Sequence, residues 1–135
     1  MDAILKPAFD RTRNSTPDRI NRAIDERTKK NVAHYTEQGE RFVRERIKAL
    51  DKEWDVDRAV VLWASGVLST GLVLAKRVNS KWLLLPAVVS VFLAYHAIRG
   101  WCPPVSLFRR LKFRTRKEID AEKYALIQKM KEKGA

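Results

Sequence analysis

The sequence predicts an all-α protein: a two-helix transmembrane hairpin with amphipathic N-terminal helices before it and a short C-terminal amphipathic helix after it. Three observations carry that expectation. Positions 1–58 hold 26 of the 44 charged side chains, whereas positions 59–98 hold only Lys76, Arg77 and Lys81, a segregation typical of membrane chains. Within the quiet stretch lie two runs of seventeen residues without a charged side chain, AVVLWASGVLSTGLVLA at 59–75 and WLLLPAVVSVFLAYHAI at 82–98. Only six residues, Lys76 to Lys81, separate them, which suits an antiparallel turn and nothing larger.

Residues 1–15 read as a flexible tail and have no apolar core of the kind a signal peptide needs. Residues 16–58 read as a charged amphipathic helical region, with Thr16 as N-cap and Pro17 at the first helical position. Ile20, Ala23, Ile24, Val32, Tyr35, Phe42, Ile47, Leu50 and Trp54 trace a loose apolar face. Gly39 breaks it into expected helices over 17–37 and 40–53. Through Arg58 there are 14 basic and 12 acidic residues, a near-neutral balance that favours packing on a partner helix over adsorption to lipid.

Residues 59–101 form the expected hairpin, its spans at 59–75 and 82–98. At 1.5 Å rise each run covers about 25 Å, a little less than a hydrocarbon core of about 30 Å. Trp63, Trp82 and Trp101 near the span ends, with snorkelling Lys and Arg, make up the difference. A soluble buried helix would keep a polar stripe, and neither run has one. Ser80 is the expected cap of the second helix, with Pro86 bending its second turn. Thirteen basic residues flank the outer ends of the spans against three in the turn, which places both termini in the cytoplasm. Small residues Ser65, Gly66, Ser69 and Thr70 on the first span and Ala87, Ser90, Ala94 and Ala97 on the second form expected packing seams, within one hairpin or between copies.

Residues 102–135 carry a basic interfacial segment and a helix. Pro103 and Pro104 stop the second span, and VSLFRRLKF then interleaves apolar groups with cations. Trp82, Trp101, Arg109, Arg110, Lys112 and Arg114 are therefore expected interfacial anchors, the cations meeting anionic headgroups at the cytoplasmic face. Thr115 and Glu118 have capping-box spacing and open a helix through about Lys131, with Ile119, Leu126, Ile127 and Met130 as its apolar side.

WDVDR at 54–58, GWCPP at 100–104 and RTRKEIDAEKYAL at 114–126 resemble the YgaP-like transmembrane domain family of small bacterial inner-membrane proteins. The resemblance runs roughly from Asp51 to Leu126, with an echo in INRAIDERTKKNVAHY upstream. It implies a bacterial inner-membrane hairpin. Some members carry a rhodanese domain before the hairpin. Here the preceding 58 residues are too few and too charged for one and contain no cysteine, so the resemblance brings no sulfurtransferase activity.

Candidate chemistry is sparse. The single cysteine, Cys102, near Arg99 and Arg109 in sequence, is the one candidate redox or sulfur contact, since neighbouring cations favour a thiolate. A helix C-terminus disfavours an anion, and plain packing of a small residue is the competing reading. His96, at the end of the second span, is expected to hydrogen-bond the first helix or lipid headgroups. No phosphate loop, paired-cysteine metal motif or nucleophile elbow is present, so no catalytic residue, metal site or cofactor is expected. The net charge of +12 is explained by topology and headgroups, and nucleic acid is not an expected partner. The sequence thus points to a non-catalytic scaffold or accessory subunit of a larger membrane complex or homo-oligomer, with membrane lipids and protein as partners. The alternative is a membrane sulfur or redox relay, or a small oligomeric conduit, working through Cys102.

Overall fold

Apolar residues three and four apart give the N-terminal region one buried stripe, and the chain winds into helices to bury it. The computed structural model describes residues 10–134, and all regular structure in them is helical. After a single turn, α1 (Arg11–Asn14), come α2 (Asp18–Gln38) and α3 (Glu40–Lys52). Gly39 divides them at φ +110, a backbone conformation closed to most side chains. Nine of the fifteen residues expected to form a flexible tail lie outside the described residues. The rest are pinned: Asp10 caps α1 by accepting from the Arg13 amide at 3.1 Å, and Thr12 is buried. Nor does Thr16 cap α2. Its hydroxyl donates back to the Thr12 carbonyl at 2.7 Å, and Pro17 precedes the helix without a side-chain cap.

The partner of this amphipathic pair is in the same chain. Helices α2 and α3 pack on α7 (Arg116–Gly134) around Val32, Val43, Leu50, Ile119, Ala125 and Leu126. The expected face is correct along α2, but the break at Gly39 resets its phase. Val43 goes inside, whereas Phe42 and Trp54 remain exposed. The capping box that opens α7 is formed in both directions. The Thr115 hydroxyl accepts from the Glu118 amide at 3.2 Å, and the Glu118 carboxylate accepts from the Thr115 amide at 2.9 Å.

Between these charged helices the chain runs out into α4 (Val56–Arg77) and α5 (Leu84–Arg99), which lie against each other. Asp55, not a span residue, starts α4 by accepting from the Arg58 amide at 2.8 Å. At the turn Asn79, rather than Ser80, provides the cap, accepting from the Lys81 amide at 2.9 Å. A 3₁₀ turn over Ser80–Leu83 follows, so Pro86 falls in the first α-helical turn instead of the second. There its missing N–H belongs to the set with no intrahelical partner, and little is lost.

The two helices meet through Val60, Ala64, Gly71 and Val89, the buried residues of their central stretches. Gly71 is required there: a Cβ would stand 2.6 Å from Pro86 Cδ. The expected small-residue seams are elsewhere. Ser65, Gly66, Ser69, Thr70, Ala87, Ser90, Ala94 and Ala97 are all exposed, so they do not join the two helices of this hairpin. Helical phase puts Gly66 and Gly71 on different faces, five residues and thus 140° apart. Gly71→Ala is therefore expected to destabilise by about 1–3 kcal/mol through overpacking, whereas Gly66→Ala, with nothing near its Cβ position, is expected to be neutral. Thermal unfolding of the two detergent-solubilised variants checks the contrast, and equal midpoints would defeat it.

Helix α5 ends at Gly100, left-handed at φ +77, whose amide donates to the His96 carbonyl at 2.7 Å. The two prolines expected to stop the span instead open the next helix, α6 (Pro103–Arg110), at the positions where proline is well tolerated. Val56, Val60, Cys102 and Val105 form a second small core at this junction, with Leu93, Phe108 and Phe113 against it.

Candidate functional site at the junction of the charged and apolar helices

Where the two kinds of helix meet, the chain buries ion pairs. Arg109 is 1% exposed and Arg114 is fully buried. The guanidinium of Arg109 donates to both oxygens of Glu118, at 2.6 and 2.8 Å, and to Thr16 Oγ1, Asn21 Oδ1 and the Phe113 carbonyl at 2.8 to 3.1 Å. Arg13 reaches the same Glu118 at 2.8 Å and also pairs with Asp25. A second hub forms one step along: Arg114 donates to Glu53 at 2.9 and 2.6 Å and to Glu122, and Arg46 reaches Glu122 at 2.8 Å. The amide of Val56, at the head of α4, donates to the Arg114 carbonyl at 2.9 Å, tying the apolar pair to this hub.

Buried charge is tolerable only when paired and fully hydrogen-bonded, and both arginines meet that condition. Burial by itself would raise the Glu118 pKa. The hydrogen bonds and charge of Arg109, the Thr115 amide and Arg13 outweigh it, and the carboxyl sits below its ordinary value. Burial likewise works against the Arg114 cation, and Glu53 and Glu122 reverse the sign, holding its pKa above the usual guanidinium value.

This network corrects the expected interfacial role of Arg109 and Arg114. Both point inward onto carboxylates and present no charge to a headgroup. Arg110 and Lys112 do remain exposed, as do Leu107 and Leu111. Phe108 and Phe113 pack inward, edge to face with centroids 5.4 Å apart. The segment therefore has one face for the protein and one for its surroundings. Trp82 is 42% exposed beside the turn, whereas Trp101 is half-buried and donates from Nε1 to Ser106 Oγ at 2.9 Å.

Cys102 is buried against valines, and burial pushes its thiol pKa up. Arg109, expected to favour a thiolate, is committed to Glu118. The thiol is thus placed as a packing group. His96 does bond the first helix: its Nε2 lies 3.1 Å from the Asp57 carboxylate. The carboxylate accepts, so Nε2 carries the hydrogen, and the buried Nδ1 has no hydrogen-bond partner. Beside this pair opens a cleft of about 460 Å³ lined by Arg11, Asp57, His96, Gly100, Arg116 and Lys117, among others. No cluster of three or more His, Cys, Asp or Glu side chains suited to a metal occurs among the described residues.

Sequence reasoning missed the acidic halves of the network, Asp25, Glu53, Glu118 and Glu122. One signal was available: Glu118 and Glu122 are four apart, on one face of the helix that carries the apolar stripe. Comparison of the chain with protein-family models, with curated proteins and with solved structures gives no match. Two stretches, Glu40–Arg77 and Ser80–Arg99, contain helix long and apolar enough to cross a membrane.

Proposed function

We propose that this chain is a non-catalytic integral membrane protein that acts as a scaffold or accessory subunit. Helices α4 and α5 cross a bacterial inner membrane as a hairpin, and both termini stay in the cytoplasm. One observation carries the reading: only 6% of the apolar window in Ser80–Arg99 and 22% of that in Glu40–Arg77 is buried in the protein. A core helix of a soluble fold hides its apolar surface. These helices leave Leu62, Leu84, Val91 and Ile98 at 60% exposure or more, which is favourable only against hydrocarbon or another apolar helix.

The charge distribution supports the orientation, because the positive-inside rule counts Lys and Arg and gives little weight to the carboxylates they later meet. Exposed Arg110 and Lys112 beside Leu107 and Leu111 suit an anionic, cytoplasmic lipid surface. The outward seams of small residues suit close approach by a protein helix, from a partner or a second copy. Extraction of source membranes into native nanodiscs, followed by native mass spectrometry, tests this. The chain is expected inside a larger assembly, and a monomer with no protein partner would refute the accessory role.

A further inference from the structure

The cleft beside His96 lies where the apolar surface stops. Asp57 precedes the first uncharged run by two residues, and His96 to Gly100 end the second helix. On the membrane reading given above, on which this inference rests, that is headgroup depth. The walls come from four parts of the chain: α1, the start of α4, the end of α5 and the start of α7. Gly100 helps to hold them together, since its lack of a side chain lets the backbone of Arg11 lie directly on it.

The charge of the lining is mixed. Arg11, Arg116 and Lys117 bring cations; Arg116 donates from Nη2 to the Leu50 and Glu53 carbonyls at 3.3 and 3.5 Å, while its buried Nε has no hydrogen-bond partner. Asp57 brings a carboxylate whose side chain is 59% exposed, so the one hydrogen bond to His96 leaves acceptor capacity. Asp10, the other acid in the wall, is occupied by the Arg13 amide and the Thr115 hydroxyl. A purely anionic ligand would meet Asp57 unfavourably, and a cation alone would meet three positive groups. A ligand bearing a phosphate and a primary ammonium satisfies both signs.

We propose that this cleft holds the headgroup of an aminophospholipid, phosphatidylethanolamine in chemistry. Its phosphate lies toward Arg11, Arg116 and Lys117, and its ammonium donates to Asp57. A choline headgroup has no N–H to donate, and a glycerol headgroup has no positive charge, so the site discriminates against both.

The test is native mass spectrometry of the full chain in nanodiscs containing equal parts of phosphatidylethanolamine, phosphatidylcholine and phosphatidylglycerol, scoring the lipid retained after membrane release. Wild type is expected to keep one ethanolamine lipid in about tenfold preference over choline lipid, the ratio typical of one lost charge-assisted hydrogen bond. Asp57→Asn is expected to abolish the preference, and Arg11→Ala to lower total retention. Equal retention of all three lipids, preference for the glycerol lipid, or an unchanged preference in Asp57→Asn overturns the proposal. Complete displacement by soluble phosphoethanolamine would assign the cleft to a free metabolite and also overturn it. Failure of the membrane reading is read separately, as release of the chain from membranes by alkaline carbonate.

Discussion

Glu118→Ala is expected to cost about 3–5 kcal/mol, the usual penalty for removing one partner of a buried ion pair. A single carboxylate here receives two guanidinium groups, Arg109 and Arg13, and the amide that starts α7. Its loss leaves the Arg109 cation with 1% exposure and no counter-charge. Arg109→Met with Glu118→Leu together is expected to lose far less, because the fully buried cation goes with its counter-charge and Arg13 keeps Asp25. Denaturant melts of the detergent-solubilised single and double variants measure the difference, and equal losses in both would refute the ion-pair account. The same group sets an acid limit. Its pKa is lower folded than its ordinary value of 4.5, so its contribution is complete above that value and disappears as the pH falls through the folded pKa. The wild-type melting temperature should fall in that acid window more steeply than that of Glu118→Ala.

Gly100→Val is the second large effect. The residue sits at φ +77, where a β-branched side chain is strained by about 1–2 kcal/mol. Its Cβ would also fall on the Arg11 carbonyl carbon, 2.6 Å from the oxygen. Backbone cannot yield as a side chain can, so the segment from Asp10 to Ser15 must lift away. The hydrogen bond from Ser15 Oγ to the Arg99 carbonyl, 2.8 Å long, is lost with it. Limited trypsin digestion should then cut after Arg11 and Arg13 faster than in the wild type, where the segment is held as a capped helical turn. Unchanged cleavage would mean that the contact is not tight.

What the sequence disclosed and what it concealed divide along a physical line. Helix positions were readable because they rest on neighbours three and four apart, and Gly39 and the Thr115–Glu118 box are local signals. The direction of each arginine was not. Arg109 and Arg110 are adjacent and chemically alike, yet one is buried and the other exposed. What separates them is Asn21 and Thr16, 88 and 93 residues away, and no local pattern encodes such a distance. The seams face outward from the hairpin for a related reason. Small residues mark where close approach is possible, but Gly71 against Pro86 had already decided which face the hairpin uses. Cys102 was read from neighbouring cations in sequence, while its real surroundings are valines from α4 and α6.

The arginine hubs also impose an order on biosynthesis. Arg13 waits for Glu118, 105 residues downstream, and Arg46 waits for Glu122, 76 residues downstream. The whole apolar hairpin is made in between. Until α7 leaves the ribosome, α2 and α3 have no third helix to close on, and Val32, Val43 and Leu50 stay open to solvent or to a chaperone. On the membrane reading proposed above, the hairpin enters its bilayer while the domain beside it is still unfinished, and α7 acts as the latch that completes both.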